Sequence, residues 1–354
     1  MDAAPPGKAV LVPVLPNNRF DEIALTRYLQ ARVPTFRGDC RVQQFQGGFS
    51  NPTFHLQTAD RAFVLRKKPP GQLLPSAHAV DREYRVLKAL QETDVPVPRV
   101  HVLCEDDSVI GTMFYVMDYV EGRVYTDRLL PGCTPDQRRE MYAETCDVLA
   151  RLHSVDYRKV GLEDFGKPTG YVTRQVSRWS KQYVASSVEE TPAMDRLMEW
   201  LPAHAPTQDE AAIAHGDYRI GNLLFHPQES RVVAVLDWEL STIGHPLGDL
   251  AYCCGAWHLP AAGGRGLQGV ELRTLGIPTE AQFLDVYRAR TGRAEIPDWT
   301  FFLVFSLFRS AAILAGVYKR SVDGQGVDAR MAQAREAYRD IAARAWALAS
   351  GSVG

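Results

Sequence analysis

The segment AHGDYRIGNLLFHPQESRVVAVLDWE, residues 214–239, holds the side chains best placed to do chemistry. Within it, 223–225 and 232–236 are apolar runs joined by His226-Pro227-Gln228-Glu229-Ser230, a hairpin by its turn residues. In an antiparallel pair the residue before the first strand lies beside the residue after the second, so Asn222 and Asp237 converge at one end. Asp217 stands five residues before Asn222 in a loop opened by His215-Gly216, and it reaches the same place. Three oxygen-bearing side chains at one point suit a hard cation such as Mg2+, which takes a few protein oxygens and completes its shell with water and phosphate.

Such a hairpin needs a scaffold, and periodicity supplies its outline. Residues 20–32 read as a helix. The runs 41–45, 53–57 and 62–67 are rich in β-branched and aromatic residues and separated by turn formers, which makes an antiparallel meander. Val80, Tyr84, Leu87 and Leu90 mark one face of a helix over 79–91, and strands follow at 99–103 and 113–117. Beyond Glu121-Gly122 the pattern turns helical, with stretches at 141–153, 179–200, 279–290, 299–318 and 327–348. Strands first and helices afterwards is an α+β arrangement rather than an alternating parallel sheet. The expected architecture is bilobal: an N-terminal arm over 1–19, a small β-rich N-lobe over 20–118, and a larger, mainly helical C-lobe over 119–354.

Composition narrows the partners. Forty Lys+Arg against 42 Asp+Glu leave a net charge of −2, which argues against a protein that lives on nucleic acid or an anionic membrane. The six cysteines form no C-x-x-C pair and no zinc-type cluster, so we expect reduced thiols and a cytoplasmic protein. The N-terminus lacks the basic start of a signal peptide. Residues 300–317 are apolar enough to raise a membrane question, but Arg309 at their middle favours a buried core helix.

The spacing H-x-D-x-x-x-x-N followed by an Asp is the arrangement of phosphoryl transfer in kinase-like enzymes. HGDYRIGN resembles the catalytic loop of the aminoglycoside phosphotransferase and choline kinase families, where Gly stands in place of the protein-kinase Arg. The resemblance implies a protein-kinase-like fold, ATP as phosphate donor and Mg2+ as cofactor. It makes Asp217 the base that accepts the acceptor hydroxyl's proton, and Asn222 and Asp237 the metal ligands. Gly47, Gly48, Ser50 and Asn51 fall where backbone N–H groups cover the phosphates. Arg66, in VLRKK, matches the phosphate-binding lysine, with Glu83 on the next helix as partner; Arg66, Lys67 and Lys68 stay as alternatives for the phosphate contact. Met117, Asp118, Tyr119 and Val120 match the linker that holds adenine. His215 supports the loop, and Asp249 in GDLAY either braces it or caps the following helix. His153 reads as a packed structural residue.

FVLRKKPPG, GYVTRQVSRW, HGDYRIGNLLFH, VLDWELSTIGHPLGDLAY and RSAAILAGVYKR together resemble the branch found alone in bacteria and fused to acyl-CoA dehydrogenases in some eukaryotes. That branch implies an acceptor hydroxyl on a hydroxyacyl-CoA or related hydroxy acid, although these residues show no flavin site. HRD, DFG and A-P-E in those forms are absent, which disfavours a protein kinase. The remaining alternatives are an aminoglycoside- or choline-type phosphotransferase and a nucleotide-binding pseudokinase. Residues 251–354 hold 12 Lys+Arg and nine Asp+Glu, a mildly basic balance that leans towards an anionic small-molecule acceptor. Arg174, Trp179, Arg309 and Tyr318 are the candidates to bind it. Trp179 is equally placed to be core, and Arg309 to satisfy buried carbonyls.

Overall fold

The computed structural model describes residues 10–46, 51–69, 79–324 and 329–352. The first part of the chain lays down β1 (Leu11–Val12), α1 (Glu22–Arg32), β2 (Arg41–Phe45), β3 (Thr53–Gln57), β4 (Ala62–Lys67), α2 (Val80–Leu90), β5 (Val100–Cys104) and β6 (Phe114–Asp118). The strands form one antiparallel sheet in the order β1-β2-β3-β4-β6-β5. Residues 11–12 of the arm pair with Phe45 and Gln44, so this part of the arm is the edge of the sheet.

Side-chain alternation gives the sheet two different faces. Phe63, Leu65, Phe114 and Val116 point towards α1, where Leu25 and Leu29 close a small core. Val64, Tyr115 and Met117 point the other way, to Val86, Leu87 and Leu90 of α2 and on into the main core. Asp21 caps α1 by accepting from the Ile23 and Ala24 N–H groups, both at 2.9 Å.

After Asp118 the chain crosses to a second lobe. It contains β7 (Arg123–Val124), α3 (Pro135–Ser154), α4 (Tyr171–Ser186), α5 (Pro192–Ala203), β8 (Ala212–Ala214), β9 (Leu223–Phe225), β10 (Val232–Val235), β11 (Thr242–Gly244), α6 (Pro246–Cys254), α7 (Leu272–Leu275), α8 (Glu280–Thr291), α9 (Trp299–Val322) and α10 (Ala329–Ala349). The hairpin β9-β10 is flanked by β7, and β8 pairs with β11.

Two expectations from periodicity are corrected here. The single helix read over 179–200 is two helices, because residues 187–191 leave helical geometry and Pro192 starts α5 at its first turn. Asp249 does not cap a helix: α6 begins three residues earlier, and its N-cap is His245, whose Nδ1 accepts from the Leu247 N–H at 3.2 Å. Among the described residues α9 is the one helix long and apolar enough to cross a membrane, and it is packed within the lobe against α4, α5, α6 and α10.

The two lobes are tied through α2. Arg82 Nη2 donates to the Phe165 carbonyl at 2.7 Å and its guanidinium lies 4.0 Å from the Phe165 ring centroid. Arg85 donates to the Asp164 carboxylate and, at 2.9 Å, to the Gly161 carbonyl. The helix that carries Glu83 is thereby fixed to the large lobe.

Candidate active site

The loop between β8 and β9 carries Asp217, and its shape is set from behind. His215 is fully buried. The Asp217 N–H donates to His215 Nδ1 at 3.2 Å, which assigns the ring proton to Nε2, and Nε2 donates to the Leu236 carbonyl at 2.9 Å. One imidazole therefore links the loop to the residue before Asp237. Gly216 sits at φ +83°, and a Cβ there would come within 2.5 Å of the Leu240 carbonyl oxygen. Only glycine fits this turn.

Asp249, 3% exposed, reaches the loop from α6. Its carboxylate accepts from the His215 N–H and, at 2.9 Å, from the Gly216 N–H, while His153 Nε2 stands 3.6 Å away. Burial works against the charge, but the His153 contact, the nearby imidazoles and the Gly216 N–H outweigh it and hold the carboxyl below its usual range. His153 donates or accepts at Nδ1 with the Tyr287 hydroxyl at 2.8 Å and is packed away from the cleft.

On the open side, Asn222 Nδ2 donates to the Asp217 carbonyl at 2.9 Å and to Asp217 Oδ2 at 2.7 Å. Val235 pairs with Leu223 and the Leu236 N–H donates to the Asn222 carbonyl at 2.8 Å. The hairpin thus brings Asp217, Asn222 and the start of Asp237 to one end. Asp237 adopts φ +66°, ψ +61°, a left-handed conformation that costs a non-glycine residue about 1–3 kcal/mol and re-aims its side chain towards the small lobe.

What it meets there is Arg66. Alternation in β4 places Val64 and Arg66 on the cleft face and turns Lys67 onto the opposite face, where its Nζ lies 6.0 Å from the Phe54 ring centroid. Of the basic run, Arg66 is the member that faces the cleft from the strand. Its Nη2 donates to Asp237 Oδ1 at 3.0 Å and lies 3.7 Å from Glu239 Oε2, and its Nε lies 3.2 Å from Glu83 Oε2. Glu83 is 1% exposed, so the pair is buried rather than a solvated surface contact. Tyr115 donates to Glu83 Oε2 at 3.1 Å and Asn51 Nδ2 to Glu83 Oε1 at 2.7 Å. Burial pushes the Glu83 carboxyl up to about 7 against the pull of Arg66. Burial alone would lower Arg66, but Glu83, Tyr115 and Asp237 hold it charged and above its ordinary value.

Between the lobes is a cavity of about 500 Å³. Met117, Asp118, Tyr119 and Val120 form one end, Leu224 and Val235 lie on the large-lobe side, and Arg66, Glu83 and Asp237 form the other end. The first end is therefore mostly apolar, with the Asp118 carboxylate paired to His101, and the other is charged. The Tyr119 ring stands edge-on to His55 at 4.8 Å, and Asp118 Oδ1 lies 2.8 Å from His101 Nε2. Gly47, Gly48 and Ser50 lie outside the described residues.

The four candidates for acceptor binding separate. Arg309 Nη2 donates to the Gly216 carbonyl, and its guanidinium sits between the rings of Trp179, at 5.2 Å, and Tyr252, at 4.9 Å. Burial, with the Asp217 carboxylate beside it, pushes the Tyr252 phenol up to about 12. Trp179 is 8% exposed and belongs to the core as well. Arg174, by contrast, turns back to the carbonyls of Lys167 and Thr169 and holds the start of α4. Tyr318 stacks on Tyr338 of α10, nine residues beyond Arg309 and so roughly 13 Å further along α9. The structure does not bring Arg174 or Tyr318 to the Arg309 group.

Periodicity and motif spacing did not single out Tyr115, Glu239, Tyr252, Arg219, Arg82 or Arg85. Glu239 carried a signal, as an acid two residues after Asp237; the others depend on strand pairing and helix docking that no local pattern encodes.

A six-stranded antiparallel lobe and a helical lobe, meeting over a cleft with a braced aspartate loop and a charged hairpin end, define a kinase-like α+β phosphotransferase. The profile of the phosphotransferase enzyme family matches residues 41–295, and the chain belongs to that family. It is an enzyme with an alcohol hydroxyl as phosphoryl acceptor. A crystal structure from Ralstonia eutropha, described as a candidate aminoglycoside phosphotransferase, is 48% identical, covers 94% of this chain and 99% of its own, and superposes with a TM-score of 0.88. An aminoglycoside phosphotransferase solved with ADP and hygromycin B shares the fold at 14% identity and a TM-score of 0.60, covering 94% of this chain and 99% of its own. Acyl-CoA dehydrogenase family member 10 of Mus musculus is 46% identical over 341 residues, 96% of this chain and 32% of its own length. Member 11 of Homo sapiens is 44% identical over 324 residues, 90% of this chain and 42% of its own. The chain thus spans about a third to two-fifths of these relatives.

Proposed function

We propose that the chain is an ATP- and Mg2+-dependent small-molecule kinase, cytoplasmic, that phosphorylates a hydroxyl of a hydroxyacyl-CoA or related hydroxy acid. The observation that carries the reading is Asp217: a carboxylate pinned by Asn222, on a loop braced by His215 and Asp249, beside a hairpin that sends Asp237 to the charged end of the cleft. The apolar end suits a purine base, and Val120, whose N–H has no protein acceptor among the described residues, is free to bond it.

The donor set fits Mg2+. Asn222 commits its Nδ2 to Asp217, which leaves Oδ1 as a hard oxygen donor, and the left-handed Asp237 presents a 36% exposed carboxylate. Two such oxygens with water and phosphate make the shell this ion prefers. When bound, it would neutralise charge on the β- and γ-phosphates. The protein's own part is positioning: Asp217 orients the acceptor hydroxyl and takes its proton, and Arg66 to Val120 hold the nucleotide along the cleft.

The acceptor class draws on the relatives. Phosphotransferase-like residues and an acyl-CoA dehydrogenase in one chain suit successive steps on one acyl-CoA skeleton. Arg309 between two rings beside Gly216 gives the acceptor side of the loop a positive charge. Unpaired thiols at all six cysteines suit a reducing compartment.

The test is ADP release from MgATP with a panel of hydroxyacyl-CoAs, hydroxy acids, choline and aminoglycosides. Asp217→Asn should lower kcat about 100- to 10,000-fold while leaving MgADP affinity unchanged; equal turnover in the variant removes Asp217 as base. Turnover of aminoglycosides alone would replace the acceptor. MgATP binding with no turnover on any of these acceptors would remove the proposed acceptor class.

A further inference from the structure

We propose that Arg219 is a catalytic residue that binds the transferring phosphoryl group; the proposal rests on the kinase reading above. Arg219 lies two residues beyond Asp217, and its Nε donates to Asp217 Oδ2 at 3.3 Å. A guanidinium carries five N–H donors in a planar fork. Here one is engaged; among the described residues neither Nη group has a protein acceptor, and the side chain is 35% exposed. A Cβ on Gly221 would meet the flexible end of Arg219, so a side chain there would shift the guanidinium from its present place.

The other cations near the loop are held by groups other than the base. Arg66 is met by Glu83, Asp237 and Glu239, three carboxylates to one guanidinium. Arg309 is held by the Gly216 carbonyl between two rings. Arg219 is thus the arginine bonded to the base itself, with both Nη groups open among the described residues. In the transfer, the acceptor oxygen bonds to the γ-phosphorus as the bridging P–O bond breaks. The electron pair of that bond leaves with ADP, and the hydroxyl proton passes to Asp217. Charge gathers on the three non-bridging oxygens. Two parallel N–H donors match two of those oxygens, while Nε keeps the fork in register with the base. Arg219 gives up no proton.

Calorimetry of MgADP binding, with and without aluminium fluoride as a mimic of the planar phosphoryl group, separates this role from a structural one. We expect fluoride to tighten MgADP in the wild type. Arg219→Ala should lose at least tenfold of that tightening, with MgADP affinity in the absence of fluoride within twofold of wild type. Gly221→Ala, which displaces the guanidinium without deleting it, should lose part of the tightening. Equal fluoride tightening in wild type and Arg219→Ala would overturn the proposal alone, as would a parallel loss of plain MgADP affinity. A wild type that binds no MgADP would sink the kinase reading and this inference together.

Discussion

Replacing Asp249 by Asn tests the claim that the active loop is held from behind. The wild-type carboxylate accepts two backbone N–H groups in a site from which water is excluded. Asn offers one oxygen and one amide nitrogen, so one of the two N–H donors faces another donor and is orphaned. An unsatisfied buried donor costs about 1–3 kcal/mol, and the surviving bond loses its charge assistance, worth about another 1 kcal/mol. The sum is roughly 2–4 kcal/mol, within the stability of about 5–15 kcal/mol typical of a folded domain, so the variant should fold. Urea unfolding should show a lower midpoint with an unchanged slope. Because Asp249 braces Asp217 and touches nothing in the nucleotide cavity, kcat should fall while MgADP affinity stays within twofold. A wild-type urea midpoint together with wild-type kcat would refute the reasoning, since it would mean that the two N–H groups find other acceptors at no cost.

Two further outcomes follow from the same geometry. Arg66→Met should weaken MgADP about 10- to 100-fold, the worth of one charged hydrogen-bonding contact, whereas Lys67→Met, on the far face of β4, should stay within twofold; similar losses in both calorimetric titrations would contradict the strand register. His245 is neutral in the fold: burial, only partly offset by Glu210 and Asp209, lowers it to about 4, with Arg293 and His153 adding to the fall. The unfolded chain, near 6.5, binds more protons in that window, so stability is full above about pH 6.5 and drops by about 3 kcal/mol as pH falls to 4. His245→Asn, which keeps an acceptor for the Leu247 N–H without titrating, should flatten that part of the urea midpoint against pH; an unchanged slope would assign it elsewhere.

Much of the site was legible because it is local. A hairpin needs only its turn and two apolar runs, and those bring Asn222 beside Asp237 without reference to the rest of the chain. The meander could be read for the same reason: strands 41–45, 53–57 and 62–67 stand at their expected bounds, with alternating apolar residues between turn formers. Where reading failed, a local signal pointed to a partner that tertiary contacts replaced. Asp249 looks like an N-cap by residue type, yet His245 before Pro246 takes that place, and the carboxylate is drawn to two N–H groups of a loop more than 30 residues upstream. The helical stretch read over 179–200 hid a break that Pro192 announced.

By itself, then, the sequence determined the α+β class, the strands of the small-lobe meander and the β9-β10 hairpin, which follow from periodicity and turn residues, while the role of the aspartate loop came from its resemblance to phosphotransferase loops. Tertiary structure decided which of Arg66 and Lys67 faces the cleft, because that is a matter of which sheet face the core covers. It decided that Arg309 stands against Gly216 while Tyr318 packs on α10, because one helix spans both environments. It also left Arg219 with its donors open beside Asp217, since whether a guanidinium is engaged depends on every element that could have supplied an acceptor.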